Sequence, residues 1–259
     1  MEKIREILNS CGIKRVGFCT FTGVKDALLP CRAAKRLPEN SKTVICAVFP
    51  YKVKEAPPEN ISRYAATKDY HLVCGQMLNA AAEKLKAAFP KNTFEAFIDN
   101  SPINEVLALS KTGLGRVGQN GLFIDDKFGS FVFLGEIVTD LDLKIADHSS
   151  TPCSDCGACK KACPVGLDKS ACLSHITQKK GELSEQEQAL IKKSGCVWGC
   201  DICSEVCPEN KGKDLTDIAE FLSSYRSCFS PTEDFCDRAY TWRGEKVILR
   251  NYEIIKNGK

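Results

Sequence analysis

The 259-residue chain carries 36 basic and 33 acidic residues, so its formal net charge is only +3. This balance excludes the strongly basic class of nucleic-acid-binding or membrane-surface proteins. A hydrophobic fraction of 43% supports a buried core of ordinary size. The sequence has no apolar run of about 18 residues or more, and its first residues predict an amphipathic helix rather than a signal peptide. We therefore expect a cytoplasmic protein that does not bind membranes.

Residues 1–148 alternate segments rich in β-branched and aromatic residues with segments of helical apolar spacing. They predict strands at 15–21, 43–50, 93–99 and 129–138, and helices at 68–89 and 103–112. The second of these helices should have Ser101 as its N-cap, Pro102 at its first position and Gly113 at its end. This pattern predicts an α/β or α+β domain, in which Asp99 lies between a strand and a helix.

The composition changes at residue 149 to short segments separated by Cys, Gly and Pro. Residues 149–211 predict a small module organised by metal, with one helix at 185–194 that begins at the capping box of Ser184 and Glu187 and ends at Gly195. The remaining residues, 212–259, predict a short C-terminal segment that is helical at 214–226. This segment is too short to fold alone, so we expect it to pack on the rest of the protein.

Nine of the sixteen cysteines lie between residues 153 and 207. In a long chain without a signal peptide, such clustering favours metal binding over disulfides. The segment CSDCGACKKACP at 153–164 has the ferredoxin spacing, in which three thiolates hold one 4Fe-4S cluster and the fourth reaches a second cluster. A zinc site would leave the third and fourth cysteines of this run unexplained. The spacing therefore assigns Cys153, Cys156 and Cys159 to a first cluster and Cys163 to a second.

A second cysteine run, CVWGCDICSEVCP, occupies residues 196–208. By reciprocity with the first run, Cys207 should complete the first cluster. The second cluster then takes Cys163, Cys200 and Cys203, together with Cys172 or Cys196. Spacing alone permits either. The other cysteines are expected to fill the core, as free cysteine commonly does: Cys11, Cys19, Cys31, Cys46, Cys74, Cys228 and Cys236.

Several motifs follow one another in an order that resembles the epoxyqueuosine reductase family. They are ISRYAATKDYH (61–71), DNSPINE (99–105), GLGRVGQNGLFI (113–124), GSFVFLGEI (129–137), ACLSHIT (171–177), GCDICSEVCPEN (199–210) and RAYTWRGEKVILRN (238–251). The resemblance implies an α+β protein, with a nitroreductase-like cobalamin-binding α/β domain followed by a ferredoxin-like module that holds two 4Fe-4S clusters. It also implies a distant relation to reductive dehalogenases. The implied activity is the reduction of epoxyqueuosine to queuosine in tRNA.

The resemblance also implies roles for particular residues. It favours Cys172 over Cys196 as the last ligand of the second cluster and makes Asp99 the proton donor. We expect burial to hold the Asp99 carboxyl near neutral pKa, as a general acid requires; the alternative is that Asp99 only caps the following helix. The residues implied to surround the corrin are Arg63, Tyr64, Asp69, Tyr70, Asn120, Gly121, Leu134 and Ser174.

Two departures from the family bear on the partners. Arg116 and Gln119 stand where the family usually has Trp and Lys, and the sequence ends soon after Asn251, where the family usually continues into a helical-repeat domain that helps to hold the tRNA. We therefore expect tRNA to bind more loosely than in longer relatives and in a salt-dependent way, or to need a partner. We also expect the protein to be a monomer. The basic residues expected to contact phosphates are Arg226, Arg238, Arg243, Lys246 and Arg250.

Electrons should come from an external low-potential donor such as ferredoxin or flavodoxin. Two alternative functions are open on this sequence: a cobalamin-dependent reductase of another small molecule, and a non-enzymatic iron-sulfur electron-transfer protein. The second alternative predicts that the protein binds no cobalamin.

Overall fold

A computed structural model describes residues 1–257, which form a mixed α/β protein of two compact units. The sheet unit comprises residues 1–50 and 70–155, and the helical unit comprises residues 51–69 and the chain from Cys156 onward. This division differs from the segments predicted at residues 148 and 211. Residues 51–69 belong to the helical unit because their backbone pairs with it, as in the bond from Val197 N–H to Asn60 O (2.7 Å).

A four-stranded antiparallel sheet forms the centre of the sheet unit. Its strands stand in the order β1-β2-β6-β3. The strands of this sheet are β1 (Arg15–Thr20), β2 (Thr43–Pro50), β3 (Phe94–Phe97) and β6 (Val132–Thr139). A separate hairpin pairs β4 (Gly115–Val117) with β5 (Phe123–Asp125). The four strands of the central sheet confirm the predicted segments, whereas the hairpin was not predicted.

Helices cover both faces of this sheet, and all eight residues of β2 are therefore buried. The helices of the sheet unit are α1 (Glu2–Asn9), α2 (Tyr70–Ala88) and α3 (Glu105–Ser110). On one face, Cys46 of β2 lies in a buried cluster with Leu109 of α3. On the other face, Gly135 of β6 leaves room for α2, since an added Cβ would lie 2.7 Å from Leu78 Cδ1.

The start of α3 differs from the prediction. The N-cap is Asn104, whose side chain accepts a hydrogen bond from Leu107 N–H (3.1 Å). The assignment of Ser101 as N-cap was wrong because its hydroxyl donates to Glu136, which lies 35 residues further along the chain. Asp99 does not cap α3 either, so the interpretation of Asp99 as a helix cap is also wrong.

The helical unit contains six α-helices among its described residues. These are α4 (Ala158–Ala162), α5 (Leu173–Gln178), α6 (Glu185–Ser194), α7 (Ile202–Glu205), α8 (Ala219–Ser224) and α9 (Glu245–Lys256). The capping box of Ser184 and Glu187 is present, and Gly195 ends α6 in the left-handed conformation. Both features confirm the prediction for this helix. The predicted helix at 214–226 is limited to α8, and α9 was not predicted.

The C-terminal segment packs within the helical unit, as expected. Trp198 is fully buried in a core that includes Phe229, Tyr240 and Ile248. Asn251 of α9 is also fully buried, and its amide donates to carbonyl oxygens of two other segments, at Thr177 (2.7 Å) and Val197 (2.8 Å). Within residues 1–257, no helix is both long enough and apolar enough to cross a bilayer.

Candidate functional site

Asp99 lies in the loop that follows β3, residues 98–104, called here the Asp99 loop. Its backbone adopts the left-handed region with φ of 57°. Its side chain is 60% exposed. This backbone conformation costs a residue other than glycine about 1–2 kcal/mol, although Asp and Asn tolerate it best. Backbone strain of this kind is concentrated at functional loops.

The Asp99 carboxylate faces a histidine at the start of α2. Oδ2 of Asp99 lies 3.3 Å from Nε2 of His71. The hydrogen bond with His71 is the main reason that the pKa of Asp99 is lowered, and a hydrogen bond from Tyr70 acts in the same direction. The two side chains therefore form an acid–base pair that can hold one proton between them. His71 was not among the predicted site residues, and its only signal in the sequence was its place next to Tyr70.

Tyr70 supports this pair from the side. Its ring stacks on the imidazole of His71 (4.1 Å between centroids) and on the ring of Phe133 from β6 (4.2 Å). Each such stack contributes about 0.5–1.5 kcal/mol beyond the burial of its surface. The stack therefore restricts the imidazole to positions near Asp99.

Two further carboxyl groups lie buried behind the Asp99 loop. Glu136 of β6 is 1% exposed and is opposite Cys46 and Phe97 in the sheet. Burial, with a contribution from Glu105, raises the pKa of Glu136 well above its usual value. Burial and the nearby Asp99 charge raise the pKa of Glu105 to about 8, although a hydrogen bond from the Asp99 backbone opposes this. Both carboxyls are therefore mostly protonated at neutral pH.

The expectation of a near-neutral Asp99 was wrong. Asp99 is exposed and bonded to His71, so its pKa falls rather than rises. Burial instead raises the pKa values of Glu105 and Glu136. A glutamate in the otherwise apolar strand β6 was the available sequence signal for this feature.

Three of the thiols assigned to the first cluster lie in the helical unit. Cys156 and Cys159 stand close enough to Cys207 to raise its pKa by their charge, although burial is the larger cause. Gly157 takes a left-handed conformation between them and begins α4. Cys153, the remaining predicted ligand, lies three residues before Cys156 at the end of the sheet unit. The assignment of these four thiols to one cluster stays a prediction.

Two of the thiols assigned to the second cluster, Cys172 and Cys203, lie near Cys200. Its pKa is raised to about 11, mainly by burial and also by the charges of Cys203 and Cys172. Cys172 is the N-cap of α5, and Cys163 follows the last residue of α4. In the part of the chain that the structure describes, no three His, Cys, Asp or Glu side chains converge to hold a single metal ion.

Cys196 also lies near Cys200, but its thiol is already engaged. Its Sγ donates to the carbonyl oxygens of Trp198 (3.3 Å) and Gly199 (3.5 Å). Burial raises its pKa to about 12. Both observations favour a thiol that stays protonated in the interior of the helical unit.

Four of the residues predicted to surround a corrin belong to the helical unit. Arg63 is 3% exposed, pairs with Glu205 and donates to the carbonyl oxygen of Glu55 (2.7 Å), so its guanidinium holds this unit together. Tyr64 forms a hydrogen bond with Ser174, which brings two of the predicted residues together. Asp69 is half-buried next to the start of α2.

The other four predicted residues belong to the sheet unit. Asn120 and Gly121 form the tip of the β4–β5 hairpin, where Asn120 Oδ1 accepts from Leu122 N–H (3.2 Å) and Gly121 has a φ of 78°. Leu134 is half-buried on β6, and Tyr70 belongs to the stack described above. Their predicted contacts with a corrin stay predictions.

Known proteins resemble this chain in sequence. A family model described as "Epoxyqueuosine reductase QueG, DUF1730" matches residues 32–100. An epoxyqueuosine reductase of Lactococcus garvieae is 32% identical over 242 residues, which cover 82% of this chain and 68% of that protein.

Solved structures resemble the fold. The structure of epoxyqueuosine reductase from Streptococcus thermophilus matches with a TM-score of 0.80 and 26% identity, over 99% of this chain and 80% of that one. An epoxyqueuosine reductase with an epoxyqueuosine-modified tRNA stem loop matches with a TM-score of 0.81 and 24% identity, over 98% of this chain and 80% of that one. A reductive dehalogenase, with a TM-score of 0.50 and 14% identity over 100% of this chain and 36% of that one, shares the fold alone. The chain belongs to the epoxyqueuosine reductase family.

Proposed function

We propose that this protein reduces epoxyqueuosine to queuosine in tRNA, using two 4Fe-4S clusters and cobalamin. The observation that carries the proposal is the Asp99–His71 pair in a chain of this family, because the pair offers a proton at an exposed position. The reaction needs such a proton. Opening the epoxide breaks two C–O bonds, forms a C=C bond and releases the oxygen as water, which consumes two electrons and two protons.

The role of the pair follows from its electrostatics. Since the pKa of Asp99 is lowered, the carboxylate is charged at neutral pH and accepts a hydrogen bond from His71. A proton shared in this way can be delivered to the leaving oxygen through either side chain. Tyr70 holds the imidazole in place while this happens. Asp99 and His71 are therefore the proposed proton-donating residues.

The cluster proposal rests on the chemistry of the thiols. All sixteen cysteines are free of disulfides, Cys207 lies near Cys156 and Cys159, and Cys200 lies near Cys172 and Cys203, which supports the proposed ligand sets. Cys153, Cys156, Cys159 and Cys207 would hold one cluster, and Cys163, Cys172, Cys200 and Cys203 would hold the other. Bound clusters would supply electrons singly at low potential, and bound cobalamin would supply the cobalt at which they are used.

The residues proposed to hold cobalamin offer suitable chemistry. The hydroxyls of Tyr64 and Ser174, both in the helical unit, can bond to the amide groups of a corrin. The buried Arg63 would act indirectly, by holding the segment that carries Tyr64. Cobalamin binding separates the proposed enzyme from a simple electron carrier.

An absorption titration tests this step. Anaerobically purified protein with intact clusters should retain hydroxocobalamin at micromolar concentration after gel filtration. The variant Tyr64→Phe, which keeps the ring but loses the hydroxyl, should retain less than the matched variant Tyr252→Phe, at another half-buried tyrosine. Failure of the folded wild-type protein to retain any cobalamin would favour the electron carrier.

The basic residues proposed to contact tRNA differ in availability. Lys246 is exposed at the start of α9. Arg238 is 5% exposed and donates to the carbonyl oxygen of Ala66, so the expectation that it contacts phosphate was wrong. Arg226 pairs with Glu233 (2.8 Å). Lys246 is thus the better candidate for a phosphate contact. An external donor such as ferredoxin or flavodoxin would supply the electrons.

A further inference from the structure

Two glutamates, the half-buried Glu105 and the buried Glu136, contact the Asp99 loop at two different points. The Glu105 carboxyl, at the first position of α3, takes a hydrogen bond from the Asp99 backbone. The Glu136 carboxyl, in the middle of β6, takes a hydrogen bond from the Ser101 hydroxyl. Ser101 in turn accepts from Ile103 N–H (3.0 Å), so its hydroxyl links β6 to the backbone of the loop. The two carboxyls therefore fix the loop on both sides of Asn100.

This arrangement lacks compensating positive charge. Among residues 1–257, no cationic side chain pairs with Glu105 or Glu136. Glu105 Oε1 and Glu136 Oε2 are buried and have no hydrogen-bond partner in the described part of the chain. A buried carboxylate without a partner is far less stable than the neutral acid, so such a group keeps its proton.

The other titratable groups that face the pair do not favour its ionisation. Asp99 contributes negative charge from the loop, and Cys19 of β1 and Cys46 of β2 contribute thiols from the sheet. Burial and the hydrogen bond with Cys19 raise the pKa of Cys46 well above its usual value, so this thiol is neutral. The titratable groups that act on the pair thus oppose its ionisation, while the hydrogen bonds from the Asp99 backbone and the Ser101 hydroxyl act in the opposite direction.

We propose that Glu105 and Glu136 are positioning residues for the proton donor, which hold Asp99 in its strained conformation only while both carboxyls are protonated. The inference rests on the proposed function, because Asp99 needs exact placement only if it delivers a proton. Loss of the Glu105 proton places a second negative charge beside the Asp99 carboxylate. Repulsion then works against the short loop, whose backbone is already in the left-handed region.

The state in which both carboxyls are neutral depends on pH. Because the pKa of Glu105 is raised to about 8, the neutral pair exists below that pH and is lost as the pH rises through it. Turnover should therefore fall on the alkaline side, near pH 8. Glu136 should stay protonated throughout this range.

Infrared spectra of the full-length protein labelled with ¹³C-glutamate test the proton states without substrate or cobalamin. In the wild type, part of the protonated-carboxyl band should disappear near pH 8 and part should remain. Glu105→Gln should abolish the part that titrates, and Glu136→Gln should abolish the constant part. Glu83→Gln, on the exposed side of α2, should match the wild type. A wild-type band that does not change near pH 8 overturns the proposal, whether or not any variant folds.

Turnover on the cobalamin-loaded protein tests the positioning role. Glu105→Gln keeps an acceptor for the Asp99 backbone and cannot ionise, so it should retain turnover and lose the alkaline decline. Glu105→Ala removes the acceptor, and misplacing a catalytic group in this way costs about 10²-fold in rate. An alkaline decline that persists in Glu105→Gln overturns the proposal. A wild type that shows the infrared titration yet converts no substrate overturns the proposed function instead, and leaves the proton states of the pair established.

Discussion

Replacing Asp99 by asparagine is expected to lower the single-turnover rate about 10²–10⁴-fold, which is the usual contribution of a general acid. Asparagine is the informative replacement because it has the shape of aspartate and also tolerates a left-handed backbone, so the strained loop keeps its conformation. The replacement removes only the negative charge of the carboxylate that faces His71 Nε2. Iron content, bound cobalamin and melting temperature should stay close to those of the wild type.

A suitable control is Asp142→Asn. Asp142 is also an exposed aspartate whose pKa is lowered by hydrogen bonding, in its case mainly to Lys144, and it lies outside the Asp99 loop. This variant should turn over at the wild-type rate. Because Asp99 and His71 act as a unit, adding His71→Gln to Asp99→Asn should lower the rate little further. Asp99→Asn with wild-type turnover would remove Asp99 from the mechanism.

Removing the Cys172 thiol is expected to lower the iron content from about eight to about four atoms per chain, as the loss of one four-iron cluster requires. Cys172→Ala leaves the proposed second cluster with three protein ligands. By contrast, Cys196→Ala should keep about eight irons, because the Cys196 thiol is bonded to two backbone carbonyls. Iron analysis and electron paramagnetic resonance of the anaerobically reduced variants measure the difference.

These two variants form a matched pair, since both cysteines lie near Cys200. The opposite outcome, with iron lost from Cys196→Ala and kept by Cys172→Ala, would exchange the two assignments. The first cluster would be unaffected by that result, because its proposed ligands are four other cysteines.

The sequence predicted those features that depend on neighbours in the chain. The strand β2 was predicted at its observed bounds because it is a continuous apolar run, and α6 was predicted because Ser184 and Glu187 cap it locally. The cysteine spacing likewise predicts which thiols share a cluster, since a cysteine run must wrap around its cluster, and this assignment stays a prediction. The shortened helix at α8 shows the limit of this reasoning, because helical spacing alone did not reveal where the chain turns away.

Features that depend on distant contacts were missed. Ser101 looked like a helix cap, but its hydroxyl bonds to Glu136 on another strand. The pKa of Asp99 was expected to rise, but His71, 28 residues earlier in the chain, lowers it. Neither partner could be identified from local sequence, since both contacts join residues that only the tertiary fold brings together. The pairing of Glu105 with Glu136 became visible only in the folded structure, where both lie behind the same loop.

The most direct test of the central claim is anaerobic conversion of epoxyqueuosine in tRNA by protein that holds both clusters and cobalamin. After reaction with a low-potential reductant, the tRNA is digested and its nucleosides are measured by mass spectrometry. We predict queuosine, which has one oxygen atom fewer than the substrate, in an amount that increases with the enzyme added. Unchanged epoxyqueuosine after incubation with protein that demonstrably carries both cofactors would contradict the proposed function.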